Sequence, residues 1–144
     1  MLALYDMTTE EALRFLEQNQ PMPSDARITQ EECDLYLESL CHFEKNPDER
    51  CIPLFINSVG VDTGLGMYEK IGDVLLAQDR SAVISALKSA LSSSNESVKY
   101  RCCWWAADLD IWEISDLIWP LRGSQNEDLR EAAESYIKLR HESV

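Results

Sequence analysis

The residues of this sequence best suited to chemistry are few and poorly placed for it. Histidine occurs twice, as His42 and His141, and a nucleophilic Ser or Cys needs a base within hydrogen-bond reach. His42 stands beside an irregular N-terminal segment and His141 near the chain end, so neither makes a convincing base. Five cysteines, Cys33, Cys41, Cys51, Cys102 and Cys103, form an odd set without CxxC spacing, and each falls inside an apolar helical pattern. They read as small buried hydrophobes of a reducing compartment. Cys33, Cys41 and His42 lack zinc-knuckle spacing and a fourth ligand, so neither a metal nor another cofactor is expected. Gly64, Gly66 and Tyr68 in VDTGLGMYEK lack the GxxxxGK[ST] or strand-GxGxxG-helix context of a phosphate loop and read as a tight turn between helices. With 26 carboxylates in 144 residues, pairs of acids carry no information without geometry. The chain is expected not to be an enzyme.

The elements that position these residues all read as helix. Only five glycines and five prolines occur, and no stretch alternates with period two for long enough to make a strand. Thr8 with Glu11, and Thr29 with Glu32, make the S/T-x-x-E capping box. Asn46-Pro47 with Glu49 predicts another helix start. An internal period of 31 residues organises the remainder. Ile52, Phe55, Ile56 and Val59 share one helical stripe, and their counterparts are Val83, Ala86, Leu87 and Ala90, then Ile114, Leu117, Ile118 and Leu121. The second helix of each unit repeats in the same register: Met67, Ile71, Val74 and Leu75, then Val98, Cys102, Trp105 and Ala106, then Leu129, Ala133, Tyr136 and Ile137. Asn95 and Asn126 occupy equivalent N-cap positions.

Carried backward, the period places Tyr36, Leu40 and Phe43 on a second helix whose partner lies around Ala12, Phe15 and Leu16. The connector NQPMPSDARI between them is expected to be an exposed loop. The prediction is an all-α single domain over 1–144. Residues 1–45 form a degenerate N-terminal capping helix pair and residues 46–141 three repeats, giving about four helix pairs stacked as an α-solenoid.

The register also separates residues that packing needs from residues it does not. Trp105 aligns with Val74 and Tyr136 and belongs to the core. Trp104 aligns with Asp73 and Ser135, Trp112 with Arg50 and Ser81, and Trp119 with Asn57 and Lys88, so three large aromatics stand where sister repeats are polar. Positions four apart share a helical face, which puts Glu69 with Asp73, and Tyr100 with Trp104 and Asp108, on the second helices that line the concave side of such stacks. Trp112, Asp116 and Trp119 make a second face on a first helix. These eight residues are the candidate partner-binding set, aromatic anchors flanked by carboxylates.

A net charge of −13 repels nucleic-acid phosphates and anionic lipid and steers basic partners inward. Residues 1–50 alone hold 12 acids against Arg14, Arg27, Lys45 and Arg50. No apolar run approaches a membrane span, and the first residues lack the basic and apolar regions of a secretory signal. A cytoplasmic location is expected, without membrane or nucleic-acid contact, and a homodimer through the exposed tryptophans is an open alternative.

The segments CIPLFINSVG, AVISALKSAL and EISDLIWPLR, with SVKYRCCWWAADL and EDLREAAESYIKLR, resemble HEAT repeats over about residues 46–141. Val98-Lys99 and Leu129-Arg130 stand at the aliphatic-basic pair that opens the second helix, whereas Met67-Tyr68 departs from it. DNA-repair glycosylases on HEAT-like scaffolds need a basic groove, which this charge inverts. An acidic helix pair leading into NPDERCIPLF, GLGMYEKIGDVLL and VKYRCCWWAADL resembles more narrowly the HEAT-like immunity proteins of bacterial contact-dependent growth inhibition systems. That resemblance implies a protein that binds and neutralises a cognate toxin domain, itself basic, delivered by a neighbouring cell. The alternatives are a helical-repeat adaptor or assembly chaperone without toxin specificity, and a lyase built on similar repeats.

Overall fold

The first two helices among the described residues begin where the capping boxes put them. The structure, a computed structural model, describes residues 7–143, and all regular structure among them is helical. Helix α1 (Thr9–Glu17) is capped by Thr8 and α2 (Gln30–Lys45) by Thr29, each as a full capping box. Next come α3 (Cys51–Ile56), a 3₁₀ segment (Gly64–Lys70), α4 (Ile71–Ala77), α5 (Arg80–Leu91) and α6 (Glu96–Asp108). Helix α7 (Ser115–Ile118), a second 3₁₀ segment (Trp119–Gly123) and α8 (Glu127–Ser143) complete the chain. The side chains of Asn95 and Asn126 accept the amides of Val98 and Leu129, both at 3.1 Å, and so cap α6 and α8. The chain divides into two compact units, Met1–Val83 and Ile84–Val144, the division falling within α5.

Burial follows the register closely. All twelve second-helix positions are buried, from Met67 at 5% exposure to Ile137 at 8%. Of the first-helix positions only Ala86, Leu117 and Leu121 are half-buried. The N-terminal counterparts Ala12, Phe15, Leu16, Tyr36, Leu40 and Phe43 are buried as well. The first helices are shorter than the spacing suggests. Helix α3 starts at Cys51, not at Asn46-Pro47, because Asn46 serves as the C-cap of α2, its backbone and side-chain amides both donating to the His42 carbonyl. Asp48 then accepts from the Arg50 amide and guanidinium and holds the chain in a turn. Helix α7 is short for two reasons. Asp110 takes a left-handed φ of 54° and ends α6 in a Schellman turn, with Ile111 N–H donating to Ala106 and Asp110 N–H to Ala107. Downstream, Pro120 cannot donate to a continuing ladder, and the chain tightens into 3₁₀.

The first unit has an aromatic core in which Tyr36 meets Phe55 and Tyr68 edge-on and Phe43 meets Phe55 likewise, at centroid distances of 5.9–6.2 Å. Polar groups inside it are paired. The Ser58 hydroxyl donates to the Phe55 carbonyl, so the 2.7 Å contact between Tyr36 and Ser58 must be donated by the phenol. Gln78 donates to the carbonyls of Phe43 and Val74 and accepts the Asp48 amide, tying the ends of α2 and α4 to the turn before α3. The connector at 19–28 is not simply an exposed loop: Met22 is 3% exposed and its amide donates to Ser58.

In the second unit α8 packs against α6, α7 and the 3₁₀ segment. Buried Tyr136 on α8 donates to the Ile111 carbonyl at 2.7 Å. Burial pushes the thiols of Cys51 and Cys103 up to about 12 and that of Cys102 higher still, while Cys41 is exposed. Thiolate is the reactive form. A thiol-disulfide reagent at pH 8 is therefore expected to label Cys41 first and Cys33 more slowly, and the other three only after denaturation; rapid labelling of all five in native protein would contradict this packing.

Candidate functional site

The candidate residues divide between the units. Glu69 and Asp73 lie in the first, at the end of its 3₁₀ segment and in α4, and both are exposed. The other six lie in the second. Tyr100, Trp104 and Asp108 form one face of α6, where the core-facing neighbours Cys103 and Trp105 are buried and Trp104 is half-buried. Trp104 makes no ring contact or hydrogen bond among the described residues. The Arg101 guanidinium lies over the Tyr100 ring at 5.6 Å. Partial desolvation pushes the Asp108 carboxyl above the ordinary aspartate value, which makes it a charge that gains from a cationic neighbour.

Trp112, Asp116 and Trp119 do not share one helix face. Trp112 precedes α7, and the Schellman turn delivers its ring onto Tyr136, centroids 5.0 Å apart and planes at 52°. Packing therefore accounts for much of Trp112. Asp116 is exposed in α7. Trp119 opens the second 3₁₀ segment, 49% exposed, with the Arg122 guanidinium 3.4 Å above its ring and donating to its carbonyl. This is a cation–π stack on a side chain that stays about half exposed.

Charge and aromaticity are segregated along the chain. Residues 1–83 carry 16 acids against 6 bases, a net −10, and residues 84–144 carry 10 acids against 7 bases, a net −3, yet all four tryptophans. Of the four carboxylates expected to flank the aromatics, Glu69 and Asp73 thus lie in the other unit, and Asp108 and Asp116 in the same one.

A third feature is the turn at 61–66, which the sequence places between helices but whose geometry it does not disclose. Gly64, Leu65 and Gly66 all have left-handed φ values, of 63°, 52° and 86°. A Cβ on Gly64 would stand 2.6 Å from the Tyr68 ring, so the backbone lies directly on that buried ring. Asp25 clasps the turn, accepting from the Gly64 amide at 2.9 Å and the Thr63 hydroxyl at 2.8 Å, while its own amide donates to Asp62. An internal carboxylate thus already holds the Gly64 amide. Leu65 and Val61 stand 56% and 90% exposed.

An open recess of about 430 Å³ between α1 and α3 is lined by Leu13, Pro53 and Leu54 and by ionic side chains. Its Arg50 is paired with Glu10 at 3.1 Å and Asp48 at 2.8 Å. These pairs are solvent-exposed and contribute little stability. Among the described residues no three His, Cys, Asp or Glu side chains come together to hold a metal, and no helix is long and apolar enough to cross a membrane. Comparison with protein-family models, with curated proteins and with solved structures finds no match to this chain in any of the three.

Proposed function

We propose that this chain is a HEAT-like immunity protein that binds and neutralises a basic toxin domain, without catalysis of its own. The repeat architecture rests on the ungapped 31-residue register and the burial of its second-helix positions. The observation that carries the binding role is Trp104. It stands partly exposed between Tyr100 and Asp108 on α6, at a position that is polar in the sister repeats. Aromatic side chains in that setting are the usual anchors of protein interfaces. The net charge of −13 favours fast capture of a cationic partner, since electrostatic steering raises association rates by orders of magnitude over uncharged encounter.

Co-expression tests the function. The chain restores growth to cells making the toxic domain encoded beside it and leaves unrelated toxic domains active. An adaptor or assembly chaperone restores growth against none.

A further inference from the structure

We infer that the turn at 61–66 is a second, preorganised contact for the same basic partner, an apolar knob that enters a recess bordered by lysine or arginine; this rests on the immunity reading. Val61 and Leu65 project into solvent from a backbone that cannot yield easily. Tyr68 supports it from below through Gly64, and the Asp25 carboxylate holds it from the side. A single exposed apolar residue is ordinary on a protein surface. Here Val61 and Leu65 are both exposed within one short turn, and Leu76 on α4 is 71% exposed as well. Leu65 is also held at φ 52°, ψ 33° between two glycines, a conformation that costs a leucine more than a glycine. With Leu65 56% exposed, only part of its surface can repay that cost within the unit.

Glu69, Asp73 and Leu76 follow at helical spacing, all exposed, so two carboxylates and one apolar side chain stand beyond the turn. The unit bears a net −10. A second copy of the chain would meet like charge there, whereas a cationic recess meets its complement. A knob rigid before binding loses little conformational entropy on docking.

Leu65→Gly separates a binding role from a structural one, since glycine accepts the left-handed backbone and removes only the side chain. The probe is the purified, catalytically disabled toxic domain encoded beside this chain, titrated calorimetrically, with thermal unfolding measured in parallel. Leu65→Gly is expected to melt at or above the wild-type temperature and to bind at least tenfold more weakly, while Leu65→Met keeps the affinity. Wild-type affinity in Leu65→Gly, or a melting temperature lowered by several degrees, overturns the inference and leaves the immunity reading intact. Absence of binding by the wild-type chain itself overturns both.

Discussion

Gly64→Ala is expected to lower the unfolding free energy by about 3 kcal/mol, combining about 1 kcal/mol for a left-handed alanine with about 2 kcal/mol for overpacking. The second contribution arises because the new methyl would stand 2.6–2.7 Å from three carbons of the Tyr68 ring. That ring is 1% exposed and in edge contact with Tyr36, so it has little room to retreat. Gly66→Ala provides the contrast. Its φ is also left-handed, at 86°, but an added Cβ meets nothing within 4 Å, so only the backbone term of about 1 kcal/mol applies. Urea unfolding of the two variants measures the difference, and equal midpoints would mean that the turn does not rest on the ring.

Trp104→Ala combined with Asp108→Lys is expected to weaken toxin binding by at least about 2 kcal/mol, close to thirtyfold, with the fold retained. Truncation removes a large apolar side chain that the intramolecular packing leaves partly exposed. Reversing the charge of Asp108 replaces attraction with repulsion toward a cationic partner. Its carboxyl already resists ionisation because of partial desolvation, so a positive partner placed against it gains more than at a fully solvated acid. Trp104→Phe keeps much of the packing and separates lost contact from lost fold, and melting curves of both variants check the latter. Unchanged affinity in a folded double variant would move the interface elsewhere, with Trp119 the first candidate because it is 49% exposed.

Local signals in the sequence were legible where a single residue type satisfies a single backbone need. Thr8, Thr29, Asn95 and Asn126 each cap the helix that they introduce. The apolar stripes were legible because burial follows the helix period within a unit, as at Met67, Ile71 and Val74, and recurs every 31 residues, from Ile71 to Cys102 to Ala133. Helix starts and lengths were less so. Asn46-Pro47 carries the same start signal whether Asn46 opens the next helix or closes the preceding one, and here it closes α2. The left-handed residue that ends α6 is Asp110 rather than the glycine that usually marks such a turn.

The polar side of the core was silent in the pattern. Gln78 and Ser58 belong to no apolar stripe, yet Gln78 satisfies backbone groups of distant segments and Ser58 pairs with the buried Tyr36 phenol. The candidate site was legible only as residue type. The register marked Trp104 as unneeded by the core, but it could not tell Trp112, which lies on Tyr136, from Trp119, which lies open beneath Arg122. Nor could it find Leu65, since an apolar residue within a glycine-rich turn fits no helical stripe.

Calorimetric titration of the purified chain with the toxic domain encoded beside it tests the proposed function most directly. The predicted result is saturable binding of defined stoichiometry with a dissociation constant of about 10 nM or below, weakened by raising the salt concentration as expected for an acidic protein meeting a basic one. Absence of binding at micromolar concentrations, with growth unrescued in co-expression, would contradict it.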